Sequence, residues 1–318
     1  MPGMRARNVL ALTFVACAPL LCLAGAANAR LDAPLATGGG ATRELRGNNF
    51  YANCRFSHTG NDDPIVYPGE PGRSHHHTFF GNKSTDANST PANLRKAQTT
   101  CRPRADKAAY WVPTLYQDGR EVRPSKGQFY YNLRSPTDMH PFPAGLKMIA
   151  GDQHAHHAQP RHVTYWVCGG SAGVRVKKAS TVPQTCPVVR TSFKSLFKPC
   201  PSCPAVPRTY KARIKTYVEL HVDFPDCWDG KRLDSPDHQS HMAYSRDYVC
   251  PASHPVKVPL IRALIRYPIT DGRNVELASG GQLTGHADFV NAWNQRVFAK
   301  LVDDCFHMRP CNDPRRKR

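Results

Sequence analysis

Beyond its N-terminal end the chain lacks any apolar run approaching the roughly 20 residues of a membrane span, so no transmembrane segment is expected in the mature product. It also lacks G-x-S-x-G, a P-loop, a Rossmann glycine pattern and H-E-x-x-H, which argues against the commonest hydrolase, nucleotide-binding and zinc-protease classes. No nucleic-acid motif is present, and an intracellular nucleic-acid target is not expected. There is no internal repeat, and no long low-complexity linker interrupts Phe50 to Cys305, which favours a single unit. Acidic residues are scarce, 24 against 43 Lys and Arg.

The first residues read as an export signal. Arg5 and Arg7 precede an apolar run from Val9 to Ala26, and Ala27-Asn28-Ala29 is a small-x-small cleavage site, so residues 1–29 are expected to leave and the product to be extracellular or periplasmic. Of 12 cysteines, Cys17 and Cys22 lie in that segment; the remaining ten, in a compartment where disulfides persist, suggest up to five bridges. Cys200-Pro201-Ser202-Cys203 has C-x-x-C spacing but no second pair and no thioredoxin-like setting, so a structural disulfide is the expectation. The formal charge of +19, or +17 without Arg5 and Arg7, attracts polyanions. For an exported protein the expected partner is an anionic polysaccharide or cell envelope. The run Arg315 to Arg318 reads as a solvated tail within 306–318.

Residues 30–49 are a Gly-, Ala- and Thr-rich lead-in, and 50–305 are expected to fold as one globular domain. Strand-like stretches dominate: Trp111 to Tyr116, Gln128 to Leu133, Lys147 to Ala150, Val163 to Val167, Ile214 to Phe224 and Val256 to Tyr267. One helix is expected over Asp288 to Cys305, where Phe289, Trp293, Val297 and Leu301 recur at helical spacing and Asp288 stands at the cap. The fold class is therefore mainly β, a sandwich or jelly-roll-like domain with long loops and a C-terminal helix.

The polar residues concentrate. Cys227-Trp228-Asp229-Gly230 runs on through Asp234, Asp237, His238 and His241, a segment rich in acid/base and ligand groups. In Ser74-His75-His76-His77, an extended backbone puts His75 and His77 on one face, an arrangement suited to a metal ion, a phosphate or a sugar hydroxyl, and equally to a satisfied histidine cluster. His221 and Asp223 share one strand face, as alternating polar residues on a solvated sheet would. His254 and the pair His286 and Asp288 are further candidates, and His154, His156, His157 and His162 are a local embellishment of the site or adventitious metal binders.

These motifs, in order, resemble the domain-of-unknown-function family nineteen-ninety-six. They are Asp63-Pro64-Ile65-Val66, Pro68-Gly69, His75-x-His77-Thr78, Tyr110-Trp111-x-Pro113-x-Leu115-Tyr116, Cys227-Trp228-Asp229-Gly230, Asp234 through Tyr244, Cys250-Pro251-x-x-His254-Pro255-Val256 and Gly285-His286-x-Asp288-Phe289-Val290-Asn291-x-Trp293. The similarity covers about residues 50 to 305. It implies a secreted protein of a family found in fungi and bacteria, sometimes joined to wall- or carbohydrate-binding modules, and supplies no activity. The His-rich loop after Asp152, the Cys200 and Cys203 segment and the basic tail depart from it.

The expectation is an extracellular enzyme acting on a polysaccharide or cell-envelope polymer by hydrolysis or elimination. Asp229, Asp237, His238 and His286 are the catalytic candidates; Trp111, Trp228 and Asp63 the substrate-binding ones; and His75, His77 and His241 the ligands of a divalent metal ion. The alternative is a non-catalytic wall- or glycan-binding protein using the same residues. The histidines of the two clusters are expected to line one pocket.

Overall fold

Alternation along each strand builds the core. In Asn49–Cys54 the side chains of Phe50, Ala52 and Cys54 are buried while Tyr51 faces outward, the period of two that a half-buried strand requires. The same pattern recurs in Lys126–Asn132 with Phe129 and Tyr131, and in Leu260–Arg266 with Ile261, Ala263 and Ile265. A computed structural model describes residues 49–132, 138–197 and 205–307. The expected signal peptide, the lead-in up to residue 48, Cys200, Cys203 and the basic tail from 308 lie outside the described residues.

The fold is mainly β. A seven-stranded antiparallel sheet runs in the order Arg175–Ala179, Thr164–Gly169, Tyr217–Asp223, Leu260–Arg266, Lys126–Asn132, Asn49–Cys54, Cys101–Arg102. A five-stranded antiparallel sheet runs Phe56–Gly60, His77–Gly81, Ala109–Pro113, His286–Val290, Lys147–Gly151. The chain passes from one to the other at Arg55. Their inner faces meet in one apolar cluster: Tyr110 stacks on Phe129 with centroids 3.8 Å apart, and Phe224 meets the edge of Phe289 at 6.2 Å. This is sandwich packing, with a polar thread inside it. Asp106 accepts from the Tyr110 hydroxyl at 2.8 Å, Tyr110 and Tyr131 share a hydrogen bond, and the Trp293 indole N–H donates to Tyr131 at 2.8 Å.

The outer face of the five-stranded sheet carries a second, smaller apolar cluster of Phe79, Ala109, Trp111, Val290 and Ala292, roofed by Ile65 and Leu94. Leu94 arrives on a short helix, Pro91–Lys96, whose start is fixed by Thr90 accepting from the Asn93 N–H and by Pro91 at the first turn. Ile65 arrives on a turn in which Asp63 accepts from the N–H groups of Ile65 and Val66.

Three bridges are described, Cys54–Cys101, Cys168–Cys186 and Cys227–Cys250, and Cys305 is also disulfide-bonded. Most expected strands are present, though Trp111 to Tyr116 breaks at Thr114, Ile214 to Phe224 at Thr216 and Val256 to Tyr267 between Lys257 and Leu260. The helix is a correction. It spans Gln295–His307, and Asn294 caps it by accepting from Val297 N–H through its side chain and from Phe298 N–H through its carbonyl. The buried face is Phe298, Val302 and Cys305, whereas Val297 is exposed. Phe289 precedes it in a strand, and Asp288 is a mid-strand residue rather than a helix cap. His286-Ala287-Asp288-Phe289 alternates polar and apolar side chains, and that period of two wins over the coincidental i, i+4 match.

Candidate metal and acid/base site

Register across the five-stranded sheet brings the first histidines together. His77 pairs with Pro113, and Asp288 with Trp111, so His286 lies in the His77 row although the strand Ala109–Pro113 separates the two. Glycine makes this row possible at its far end. Gly151, paired with His286, has φ +86°, and a Cβ there would stand 2.5 Å from the Gly285 carbonyl oxygen. His75 joins from the incoming loop. Ring centroids are 4.2 Å apart for His75 and His77, 5.1 Å for His75 and His286, and 5.9 Å for His77 and His286. One ligand-type atom from each of the three lies within 4.8 Å of the other two.

Their hydrogen bonds fix which nitrogen is available. His77 Nδ1–H donates to the Asp62 carbonyl at 3.0 Å and His286 Nδ1–H to the Thr284 carbonyl at 2.9 Å. A carbonyl only accepts, so each Nδ1 holds the proton and each Nε2 holds a lone pair. His77 Nε2 and His75 Nε2 are buried with no hydrogen-bond partner, and so is Asp288 Oδ2, 3.8 Å from His286 Nε2 and beyond hydrogen-bonding reach. Three of the six such orphaned atoms among the described residues therefore sit in this cluster. Each orphan costs about 1–3 kcal/mol of desolvation, a cost a fold retains where a ligand relieves it.

Electrostatics keep the lone pairs open. Burial pushes His75 down to about 4 and His286 down to about 3, the latter helped by the charge of His75. His77 is driven well below its ordinary range by burial, then by His75 and His286. Burial also lifts Asp288 far above the usual carboxylate range, with the charge of Asp63 adding to it. His154, exposed on the His-rich loop, acts on both His75 and His286. Gln159 anchors that loop by donating to the Leu283 and Gly285 carbonyls at 2.7 and 3.1 Å.

The second cluster divides. Asp229 accepts from the Lys231 and Arg232 N–H groups and from the Arg232 guanidinium; burial raises its pKa, but those bonds outweigh it and hold it at about 2. Asp237 is held far below the carboxylate range by the Ser240 N–H and the Ser235 hydroxyl. Both carboxylates close turns. His241 is fully buried with both ring nitrogens engaged: Nε2–H donates to the Lys147 carbonyl at 2.7 Å, and Nδ1 shares a hydrogen bond with Ser235 at 2.8 Å. It pins the loop to the edge strand and has no free lone pair for a metal.

His238 is different. Its Nδ1–H donates to Asp234 at 2.8 Å, and Asp234 also takes Lys147 Nζ at 3.0 Å. The ring is thus oriented with Nε2 as the acceptor, and its backbone sits at φ +57°, a left-handed conformation costing a non-glycine residue on the order of 1 kcal/mol. The charge of His238 acts on Asp63, whose charge acts on Asp288, so both clusters share one electrostatic neighbourhood.

The remaining candidates are placed as follows. Trp111 is fully buried and offers no face to a sugar. Trp228 is half-buried, its indole N–H donating to the Arg232 carbonyl at 2.6 Å. Asp63 is buried beneath the site, its pKa raised chiefly by burial. His254 is tied to the Ser240 carbonyl at 3.0 Å. His221 and Asp223 do share a face of the seven-stranded sheet, far from solvent, and neither pairs with the other. Sequence reasoning paired His286 with Asp288, though it favoured a capping role for Asp288, and missed Asp234 as the partner of His238. The H-x-D alternation at 286–288 and the D-x-x-x-H spacing at 234–238 were the available signals.

The family model described as domain of unknown function (DUF1996) matches residues 63–293, more than half of the chain, and spans every residue of this site. No curated protein matches, and no solved structure does.

Proposed function

We propose the following function for this chain, which belongs to the DUF1996 family: an exported, metal-dependent enzyme that cleaves a polysaccharide or other envelope polymer by hydrolysis or elimination. The observation that carries the reading is the trio His75, His77 and His286: two Nδ1 atoms are fixed on backbone carbonyls, the Nε2 atoms of His75 and His77 are buried without partners, and one ligand-type atom of each ring lies within 4.8 Å of the other two. Imidazole nitrogens oriented from behind in this way suit zinc or another first-row divalent ion, and the orphaned Asp288 oxygen stands beside the trio, 3.8 Å from His286 Nε2. When bound, such an ion lowers the pKa of water and polarises an oxygen of the substrate.

The chain's own residues supply the rest. His77 and His286 hold their lone pairs toward the centre because Asp62 and Thr284 accept the opposite N–H. His238, oriented by Asp234, is the group placed to take or give a proton through Nε2. Burial raises the Asp234 pKa, but hydrogen bonds from His238 and Lys147, backed by their charges, outweigh it and hold the carboxyl below its ordinary range. Asp229 and Asp237, held strongly acidic within turns, serve to shape the loop that carries His238.

The test is metal analysis of the purified protein with turnover measured on a panel of acidic and neutral glycans. His77→Ala is expected to abolish both metal and turnover, and His238→Ala to abolish turnover while leaving the metal in place. A protein that retains full metal after His77→Ala overturns the reading. The engagement of Asp229 and Asp237 in turns favours one second reading, a glycan-binding protein with a structural ion; normal glycan binding with no turnover anywhere on the panel would select it.

A further inference from the structure

A two-stranded ribbon stands apart from both large sheets. Val188–Phe197 and Val206–Lys215 pair with each other over ten residues and with no other strand. Cross-strand partners share a face, so Val188, Arg190, Ser192 and Lys194 lie with Lys215, Arg213, Lys211 and Thr209 on one side, and Val189, Thr191 and Phe193 with Ile214, Ala212 and Tyr210 on the other. The first side holds five exposed cations, and neither strand contains an acidic residue. Among the described residues none of the five enters an ion pair. Arg190 stands directly opposite Arg213, a like-charge juxtaposition that weakens a ladder unless an anion lies across it.

We infer that this ribbon is a docking arm for a linear acidic polysaccharide, held by its carboxylate or sulfate groups. Naming carbohydrate rests on the proposed function; the anionic, single-chain character rests on the ribbon itself. Cations on one strand recur about every 7 Å and the two rows lie about 5 Å apart, a strip one extended polymer wide. A single-stranded nucleic acid is bound by stacking bases on aromatic rings between the cations, and here Phe193 and Tyr210 are on the opposite side. A lipid surface calls for large apolar side chains throughout the charges, whereas here Ser192 and Thr209 interleave them and the exposed Val188 lies at the end of the ribbon, opposite Lys215. Cation-only contact retains a polymer without selecting its sugar, so the arm concentrates substrate and leaves bond choice to the histidine site.

The experiment is affinity electrophoresis of the full protein through gels containing polygalacturonate, neutral glucan or single-stranded DNA, at several salt concentrations. Arg190→Gln/Lys194→Gln/Lys211→Gln/Arg213→Gln is expected to weaken polygalacturonate retention at least tenfold at low salt and flatten its salt dependence, with metal content unchanged. Lys194→Arg/Lys211→Arg, which keeps the charge, should retain the wild-type affinity and shows that a loss is not misfolding. Unchanged retention in the quadruple variant overturns the inference, as does wild-type protein preferring DNA to polygalacturonate. Retention is read in His77→Ala as well. Polymer bound normally without turnover there keeps the arm and isolates any failure to the site.

Discussion

Two rows of histidine and carboxylate lie on strands of this protein at the same alternate spacing, and they have opposite hydrogen-bond economies. On the outer face of the seven-stranded sheet, His221 is bonded through Nε2 to Glu219 at 2.8 Å and through Nδ1 to the Tyr165 hydroxyl at 3.1 Å. Arg266 donates to Glu219 at 2.7 Å, and Arg262 grips Asp223 through two bonds of 2.6 and 2.7 Å. On the outer face of the five-stranded sheet, His75, His77 and Asp288 each keep a buried atom with no partner. Residue types and burial are alike in the two rows. What separates a structural polar row from a candidate site is whether its atoms are already spoken for, and a completed network rigidifies while an incomplete one waits for a ligand.

The sharpest way to break that comparison is to delete one histidine from each row. His77→Ala should reduce bound metal to below a tenth of the wild-type equivalent by elemental analysis, whereas His221→Ala should leave it unchanged; equal loss in both would erase the distinction. The next largest effect is on stability. Glu219→Ala strands His221 and Arg266 in a buried setting and should cost about 3–5 kcal/mol in urea unfolding. In the metal-free protein His77→Ala should cost less, since it breaks the hydrogen bond to the Asp62 carbonyl and strands no charged partner.

Asp106 sharpens the comparison from inside the core, where a carboxyl is partnered yet still disfavoured as an anion. Burial raises it from 3.8 to about 7. The unfolded chain releases this proton near pH 3.8 and the folded protein near 7, so the stability it confers is fully present below about 3.8 and is lost as pH rises to about 7. Asp106→Asn should flatten that slope and raise stability at pH 8, on the order of a few kcal/mol at 1.36 kcal/mol per unit. Comparison of urea midpoints at pH 5 and pH 8 reads it directly. The smallest effect expected is at Gly169, where a Cβ would stand 2.0 Å from the Glu219 carboxylate. Gly169→Ala should cost about 1–3 kcal/mol by displacing that group, with metal binding untouched.

Much of this was legible in the chain. Phe129 and Tyr131, Met148 and Ala150, and Val218, Leu220 and Val222 mark their strands because inward residues are apolar at every second position, although Ile214 and Lys215 end a different strand and the expected run Ile214 to Phe224 breaks at Thr216. His77–Gly81 is harder, since all five residues are buried and no alternation marks it. The ribbon 188–215 hid behind its lysines and arginines, and the final strand was absorbed into the helix that follows. The site was legible as residue types and only partly as partners. His75-x-His77 can be read locally, but the choice of His286 over His241 depends on sheet register and on the Lys147 carbonyl that meets His241 Nε2. Such facts exist only once strands remote in sequence lie side by side.

That adjacency has a consequence for when the protein becomes competent. The strand His286–Val290 sits between Ala109–Pro113 and Lys147–Gly151, so the last strand of this sheet to leave the ribosome fills a central gap between two made much earlier. Until it slots in, His75 and His77 have no third member. A nascent chain therefore carries an immature trio, and any ligand those imidazoles hold can be gripped by all three only once residues 286–290 have been made.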